Sequence, residues 1–178
     1  MSLRNQNGSS EQFEVSAHFN KTLADTYEKR IRLFCPNYDA LHAMIASLLT
    51  DLPERANFLS AGAGTGTEIL MLGRLFPDWH FHAVDNSAEM LNVCHGRVAQ
   101  AGMNERVTYF HGRMQEFMGD PAFDAASSVF VSHFIKGREE KLSYFNSIAS
   151  HLKPGGLFVL ADLFGDRDLP EFSQLLEA

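Results

Sequence analysis

The chain has 178 residues, 45% hydrophobic and 21% charged, a balance that fits one soluble globular domain with a real core. Fifteen Lys and Arg against 22 Asp and Glu give a formal net charge of −7, which disfavours gripping a phosphate backbone, so no nucleic-acid partner is expected. No apolar run approaches the ~20 residues of a membrane helix. The start is too polar for a signal peptide, so the reading is cytoplasmic, with no membrane partner.

Residues 1–10 read as a disordered tail or tag remnant. From Glu11 to Asp25 the residues Phe13, Val15, Phe19 and Leu23 fit one amphipathic helix. A second helix is expected over Asp39–Leu49, with Leu41, Met44, Ile45, Leu48 and Leu49 on one face. Residues 11–50 thus read as an N-terminal helical segment, and residues 51–178 as the main domain. Cys35 and Cys94 stand far apart, which offers neither a disulfide framework nor a metal knuckle.

Next, the apolar run Asn57–Ala61 breaks into Gly62, Gly64 and Gly66 and resumes as a helix over Thr67–Phe76 that stops before Pro77. Three glycines at one strand end make sense where the backbone needs unusual dihedrals or must approach a ligand closely. A dinucleotide fingerprint would have a glycine where Thr67 stands, which argues against NAD. His80–Asp85 is a strand closing on a carboxylate roughly 20 residues further on, the offset at which an acid accepts hydrogen bonds from a ribose diol. Asn86, with Glu89 three places later, reads as the cap of a helix over Ser87–Ala101. His80 and His82 have no third ligand in view, so no metal site is expected.

Val107–His111 is a third strand, closing on Gly112, Arg113 and Met114. Ala125–Val131, containing Phe130, is a fourth, followed by His133. A helix over Arg138–Leu152 carries Leu142, Phe145, Ile148, Ala149 and Leu152 at helical spacing and is stopped by Lys153-Pro154-Gly155-Gly156. Leu157–Ala161 is a fifth strand ending at Asp162, and Phe172, Leu175 and Leu176 form a last helical stripe. Strands alternating with helices predict an α/β fold: a Rossmann-like, doubly wound, mostly parallel sheet with its strand ends along one ligand-binding edge.

The stretches "FLSAGAGTGTEIL", "FHAVDNSAEML" and "LKPGGLFVLADL", in that order, resemble the motifs of class I S-adenosylmethionine-dependent methyltransferases over nearly the whole chain after the tail. The resemblance implies S-adenosyl-L-methionine as cofactor, and the acidic net charge favours a small-molecule acceptor over nucleic acid. It places the cofactor against Ser60, Gly62, Ala63, Gly64, Gly66, Asp85, Asn86, Met90, Arg113, Met114 and Phe130. Two positions depart from the family pattern: it usually has acids where Ser60 and Arg113 stand. "YEKRIRLFCPNYDALHAMI" resembles a lid found in some members and in carboxy-S-adenosylmethionine synthases, which implies Tyr27 and Arg32 at the cofactor's carboxylate. His133 and Asp162 are candidates to touch the acceptor, but no residue is named catalytic. The family continues with an antiparallel hairpin, which this chain lacks, so the fifth strand is expected to be an edge that invites a homodimer. The alternatives are a carboxy-S-adenosylmethionine synthase, a nicotinamide dehydrogenase, and a non-catalytic cofactor- or partner-binding domain.

Overall fold

In the computed structural model, residues 21–118 and 123–163 are described; the tail 1–10, most of the helix expected over 11–25 and the stripe at 169–178 lie outside them. The helices are α1 (Lys21–Phe34), α2 (Tyr38–Leu48), α3 (Thr67–Leu75), α4 (Ala88–Gln100) and α5 (Arg138–His151). The strands are β1 (Asn57–Ala61), β2 (His80–Asp85), β3 (Val107–His111), β4 (Phe123–Val129) and β5 (Leu152–Ala161). They form one parallel sheet in the order β3-β2-β1-β4-β5. This is the expected Rossmann-like α/β architecture.

Period-two alternation sends side chains to opposite faces, and both faces are covered. Phe58, Phe81, Ala83, Val107 and Ala125 join a core with Ile45 of α2, Leu49 just after it, and Ile69, Leu72, Cys94 and Val98 from α3 and α4. Their neighbours Leu59, Ala61, Val84 and Ala126 join a second core with Met114, Tyr144 and Ile148. The single tryptophan, Trp79, is 1% exposed at the start of β2, stacked on Phe76 and donating its indole N–H to the Pro53 carbonyl at 3.1 Å.

Several local expectations shift. The buried face of α2 is Tyr38, His42, Ile45 and Ala46, continued by Leu49, while Met44 and Leu48 are exposed: the apolar pattern was right in period but rotated by the packing of Tyr38 and His42. In α5 the inward residues are Tyr144, Ile148 and His151, with Leu142 exposed. The cap of α4 is Ser87, not Asn86: the Ser87 hydroxyl accepts from the Met90 N–H at 3.3 Å. β4 starts at Phe123 and ends at Val129, because Phe130 turns the chain with a φ of 57°. Among the described residues β3 and β5 are the two edge strands, and Leu157, Phe158 and Leu160 on β5 are exposed.

Candidate functional site

After β1 the chain runs into α3, and after β4 towards α5, so it leaves the centre of the sheet in opposite directions where β1 and β4 adjoin. That divergence opens a crevice at the carboxyl ends of the strands, the position where open α/β sheets bind ligands. Its volume is about 700 Å³, and its walls include Gly62, Gly64, Asp85, Asn86, Met90, Met114 and Phe130, with Tyr27 and Tyr144. That is ample room for a nucleoside-sized ligand and a small second molecule.

The three glycines of the first turn have different reasons to be glycine, although all have positive φ (81°, 53° and 80°). A Cβ on Gly62 would overlap Val131, and one on Gly66 would overlap the Cys94 sulfur, so these two let protein approach protein. At Gly64 the nearest atom would be the Met90 methyl at 3.6 Å: this glycine faces the crevice. The Gly62 and Ala63 amides donate to the Val84 carbonyl at 2.8 and 3.0 Å, tying the turn to β2.

Asp85 completes the cradle. One carboxylate oxygen accepts the Gly64 N–H and the other the Ser87 N–H, each at 2.8 Å. Each oxygen keeps a second acceptor site, so the group can still receive two hydroxyls from the crevice. Burial raises its pKa, opposed by those amides.

Beneath the loop lies a carboxyl group that motif reading missed. Glu68, in the first turn of α3, is 6% exposed and one of its oxygens accepts from Ser60 at 3.2 Å and Ser127 at 2.5 Å. Its other oxygen has no partner. Ser60 thus has a buried acid beside it, supplied by the helix rather than by its own position. Burial drives the Glu68 pKa up, against the two hydroxyls and His42 of α2. A carboxyl raised on folding favours the folded state below the ordinary carboxylate range and loses that contribution as pH climbs through the raised value. The melting temperature of Glu68→Gln is therefore expected to gain on that of the parent between about pH 4 and about pH 7. Parallel melting curves across that range would disprove a raised pKa.

α1 reaches the site through Tyr27 and Glu28. Tyr27 lines the crevice, and burial pushes its phenol up to about 12, so it stays protonated. Arg32, expected at a ligand carboxylate, is instead held by Asp39 (Nη2 to Oδ1, 2.7 Å) and Glu28 (Nη1 to Oε2, 2.7 Å), over the Tyr38 ring. Tyr38 stacks on Phe130, whose left-handed backbone, unusual for a bulky residue, turns the ring towards the crevice. Of the other expected contacts, Met114 is buried against the crevice wall. Arg113 borders the crevice while its side chain lies 3.9 Å from Glu140. Ser60, Ala63 and Gly66 support the loop from behind the wall.

His133 and Asp162 meet beyond the ends of β4 and β5. His133 Nδ1 lies 2.5 Å from Asp162 Oδ1, while Oδ2 accepts the Ser132 hydroxyl and the His133 N–H. Burial would raise the Asp162 pKa, but Ser132, His133 and the Leu163 amide outweigh it and hold the carboxylate below its usual range. An ionised Asp162 accepts from Nδ1–H and so fixes the orientation of the ring.

A family of methyltransferase domains matches residues 58–156, more than half of the chain, so the chain belongs to that family. The motif resemblance and the fold agree with it: this is a class I S-adenosylmethionine-dependent methyltransferase domain. Among relatives, a dTDP-3-amino-3,4,6-trideoxy-α-D-glucopyranose N,N-dimethyltransferase of Streptomyces venezuelae is 30% identical over 143 residues, covering 77% of this chain and 55% of the relative. A ribosomal RNA small subunit methyltransferase G of Lactococcus lactis is 30% identical over 119 residues (67% and 48%). A carboxy-S-adenosyl-L-methionine synthase of Campylobacter jejuni is 28% identical over 100 residues (56% and 42%). The chain thus spans about half the length of these relatives. Among solved structures, Streptomyces venezuelae DesVI superposes with a TM-score of 0.65 at 27% identity, over 82% of this chain and 59% of that one. A Geobacter sulfurreducens SAM-dependent methyltransferase in complex with S-adenosyl-L-homocysteine gives 0.56 at 21%, over 67% and 46%.

Proposed function

We propose that this domain binds S-adenosyl-L-methionine in the crevice and transfers its methyl group to a small-molecule acceptor. The observation that carries the reading is the Gly64–Asp85 cradle: an open glycine facing the cavity, beside a carboxylate that keeps free acceptor sites. Gly62 to Gly66 would support the amino-acid part, Asp85 the ribose hydroxyls, and Met90 and Met114 the base. The net charge of −7 favours a small acceptor over an RNA, although an RNA methyltransferase stands among the relatives.

Bound there, the cofactor supplies an electrophilic sulfonium methyl. The chain's contribution is chiefly alignment of two reactants in one cavity, which can lower a barrier by several kcal/mol, on the order of 7–11 in the best cases. Where the acceptor must lose a proton, His133 Nε2 is the candidate to take it: Val131, Phe134 and Ile135 around it line the crevice, although His133 and Asp162 themselves do not, and Asp162 would hold the ring and stabilise the imidazolium. His133→Asn is expected to lower turnover by about 100-fold while leaving S-adenosylhomocysteine affinity within about twofold, since general-base contributions start near that size. An equal loss in both would mean that His133 supports the binding site instead.

Calorimetric titration tests the cofactor assignment directly. S-adenosylmethionine and S-adenosylhomocysteine should bind and NAD should not; the absence of heat with the first two would end the proposal. Release of S-adenosylhomocysteine across a panel of hydroxyl, amine and RNA acceptors then identifies the acceptor class.

A further inference from the structure

The glycine turn, the start of α3 and the last turn of α4 converge on one side chain of α1, which a fourth partner reaches from within α1. The Glu28 carboxylate accepts the Thr65 hydroxyl at 2.5 Å, the Thr67 hydroxyl, Arg97 Nη1 at 2.8 Å and Arg32 Nη1 at 2.7 Å. Thr65 belongs to the glycine turn, Thr67 opens α3 and Arg97 ends α4. Arg97 binds the same two threonines, donating to the Thr65 carbonyl at 2.8 Å and to the Thr67 hydroxyl at 3.0 Å. The residue before Glu28 is Tyr27, which lines the crevice.

The arrangement has a physical reason. Gly66 caps α3 without a side chain to offer, so the partially positive helix start has no side-chain cap of its own. Glu28 brings a negative charge there. Charge-assisted bonds to a partly buried carboxylate are the strong kind, and here they number four. Burial alone would raise the Glu28 pKa, but Thr65, Thr67, Arg32 and Arg97 outweigh it and hold it at about 2. Two consequences share this one group: it fixes the loop whose middle glycine faces the ligand, and it fixes the helix that places Tyr27 over the same cavity.

We propose that Glu28 is a positioning residue for the cofactor, a latch that holds helix α1 against the glycine turn and so governs how long a nucleoside ligand stays in the crevice. The inference rests on the cofactor reading above. It also gives Arg32 a role other than ligand contact: Arg32, braced by Asp39, orients the Glu28 carboxylate from within α1.

The test is the dissociation rate of S-adenosylhomocysteine from the whole chain, by surface plasmon resonance, in the parent, Glu28→Gln, Thr67→Val and the double variant. Glu28→Gln is expected to raise the dissociation rate about tenfold, Thr67→Val to raise it less, and the double variant to match Glu28→Gln, because the second change removes a partner already lost. A rate within twofold of the parent for Glu28→Gln overturns the proposal, and so does a double variant whose effects simply multiply. Should Glu28→Gln fail to fold, Thr67→Val alone decides, an unchanged rate overturning it. If the parent binds no S-adenosylhomocysteine, the cofactor reading falls, yet the latch is still testable. Amide hydrogen exchange over residues 21–34 should then quicken in Glu28→Gln, and unaltered exchange would overturn it.

Discussion

Asp85→Ala is expected to weaken S-adenosylhomocysteine binding by about 100-fold or more, as measured by calorimetry. A hydrogen bond to a charged group contributes about 1.5–3 kcal/mol, so two lost diol bonds alone approach 3 kcal/mol or more, and each ~1.4 kcal/mol is tenfold. The same substitution orphans the Gly64 and Ser87 amides, which now sit on the two carboxylate oxygens, so the glycine turn loosens as well. Each unsatisfied amide costs roughly 1–3 kcal/mol, which should appear as reduced stability in urea. Asp85→Asn keeps one acceptor oxygen and should fall between parent and Ala. pH gives an independent check. Burial raises the Asp85 pKa, so ligand affinity should decline as acid protonates the carboxylate, at a higher pH than for an ordinary aspartate. Unchanged affinity in Asp85→Ala would remove the diol assignment altogether.

Alanine at the three loop glycines should split stability from binding. Gly62→Ala and Gly66→Ala each place a methyl on a residue with φ near +80° and against Val131 or Cys94 respectively. Left-handed backbone costs about 1–2 kcal/mol for a residue with a Cβ, and overpacking about 1–3 more, so a loss of roughly 2–5 kcal/mol is expected in denaturant melts. Gly64→Ala meets only the Met90 methyl at 3.6 Å and carries the conformational cost alone, on the order of 1 kcal/mol. Its methyl projects into the cavity, so binding of S-adenosylhomocysteine should drop by at least about tenfold in a protein that remains well folded. If Gly64→Ala were instead the most destabilised of the three, the division of labour within the turn would be wrong.

How much of this was legible beforehand depended on whether the governing contact was local. The strands, the glycine turn and Asp85 are written in short windows, because period-two alternation and a glycine-broken strand end carry their meaning within a dozen residues. Ser87 as cap was within reach too: a serine directly before the helix competes with Asn86, and it won because Asp85 fixes the Ser87 amide. Arg32 was assigned a ligand role from likeness, while the pairing of Glu28 with Arg32 at i,i+4 was a sequence signal for the helix contact actually formed. Arg97 and Glu68 had no such signal. Their partners lie 69, 32 and 30 positions away for Arg97, and 8 and 59 for Glu68, and only tertiary folding brings those together.

The place of Trp79 has a practical consequence. This sole indole lies at the amino end of β2, on the margin of the sheet opposite the crevice, shut away from solvent in a stack with Phe76. Its emission therefore follows collapse and unfolding of the domain and stays silent when the far edge takes up a small molecule. Tryptophan fluorescence can serve as a gauge of stability for every variant above, free of interference from ligand titration.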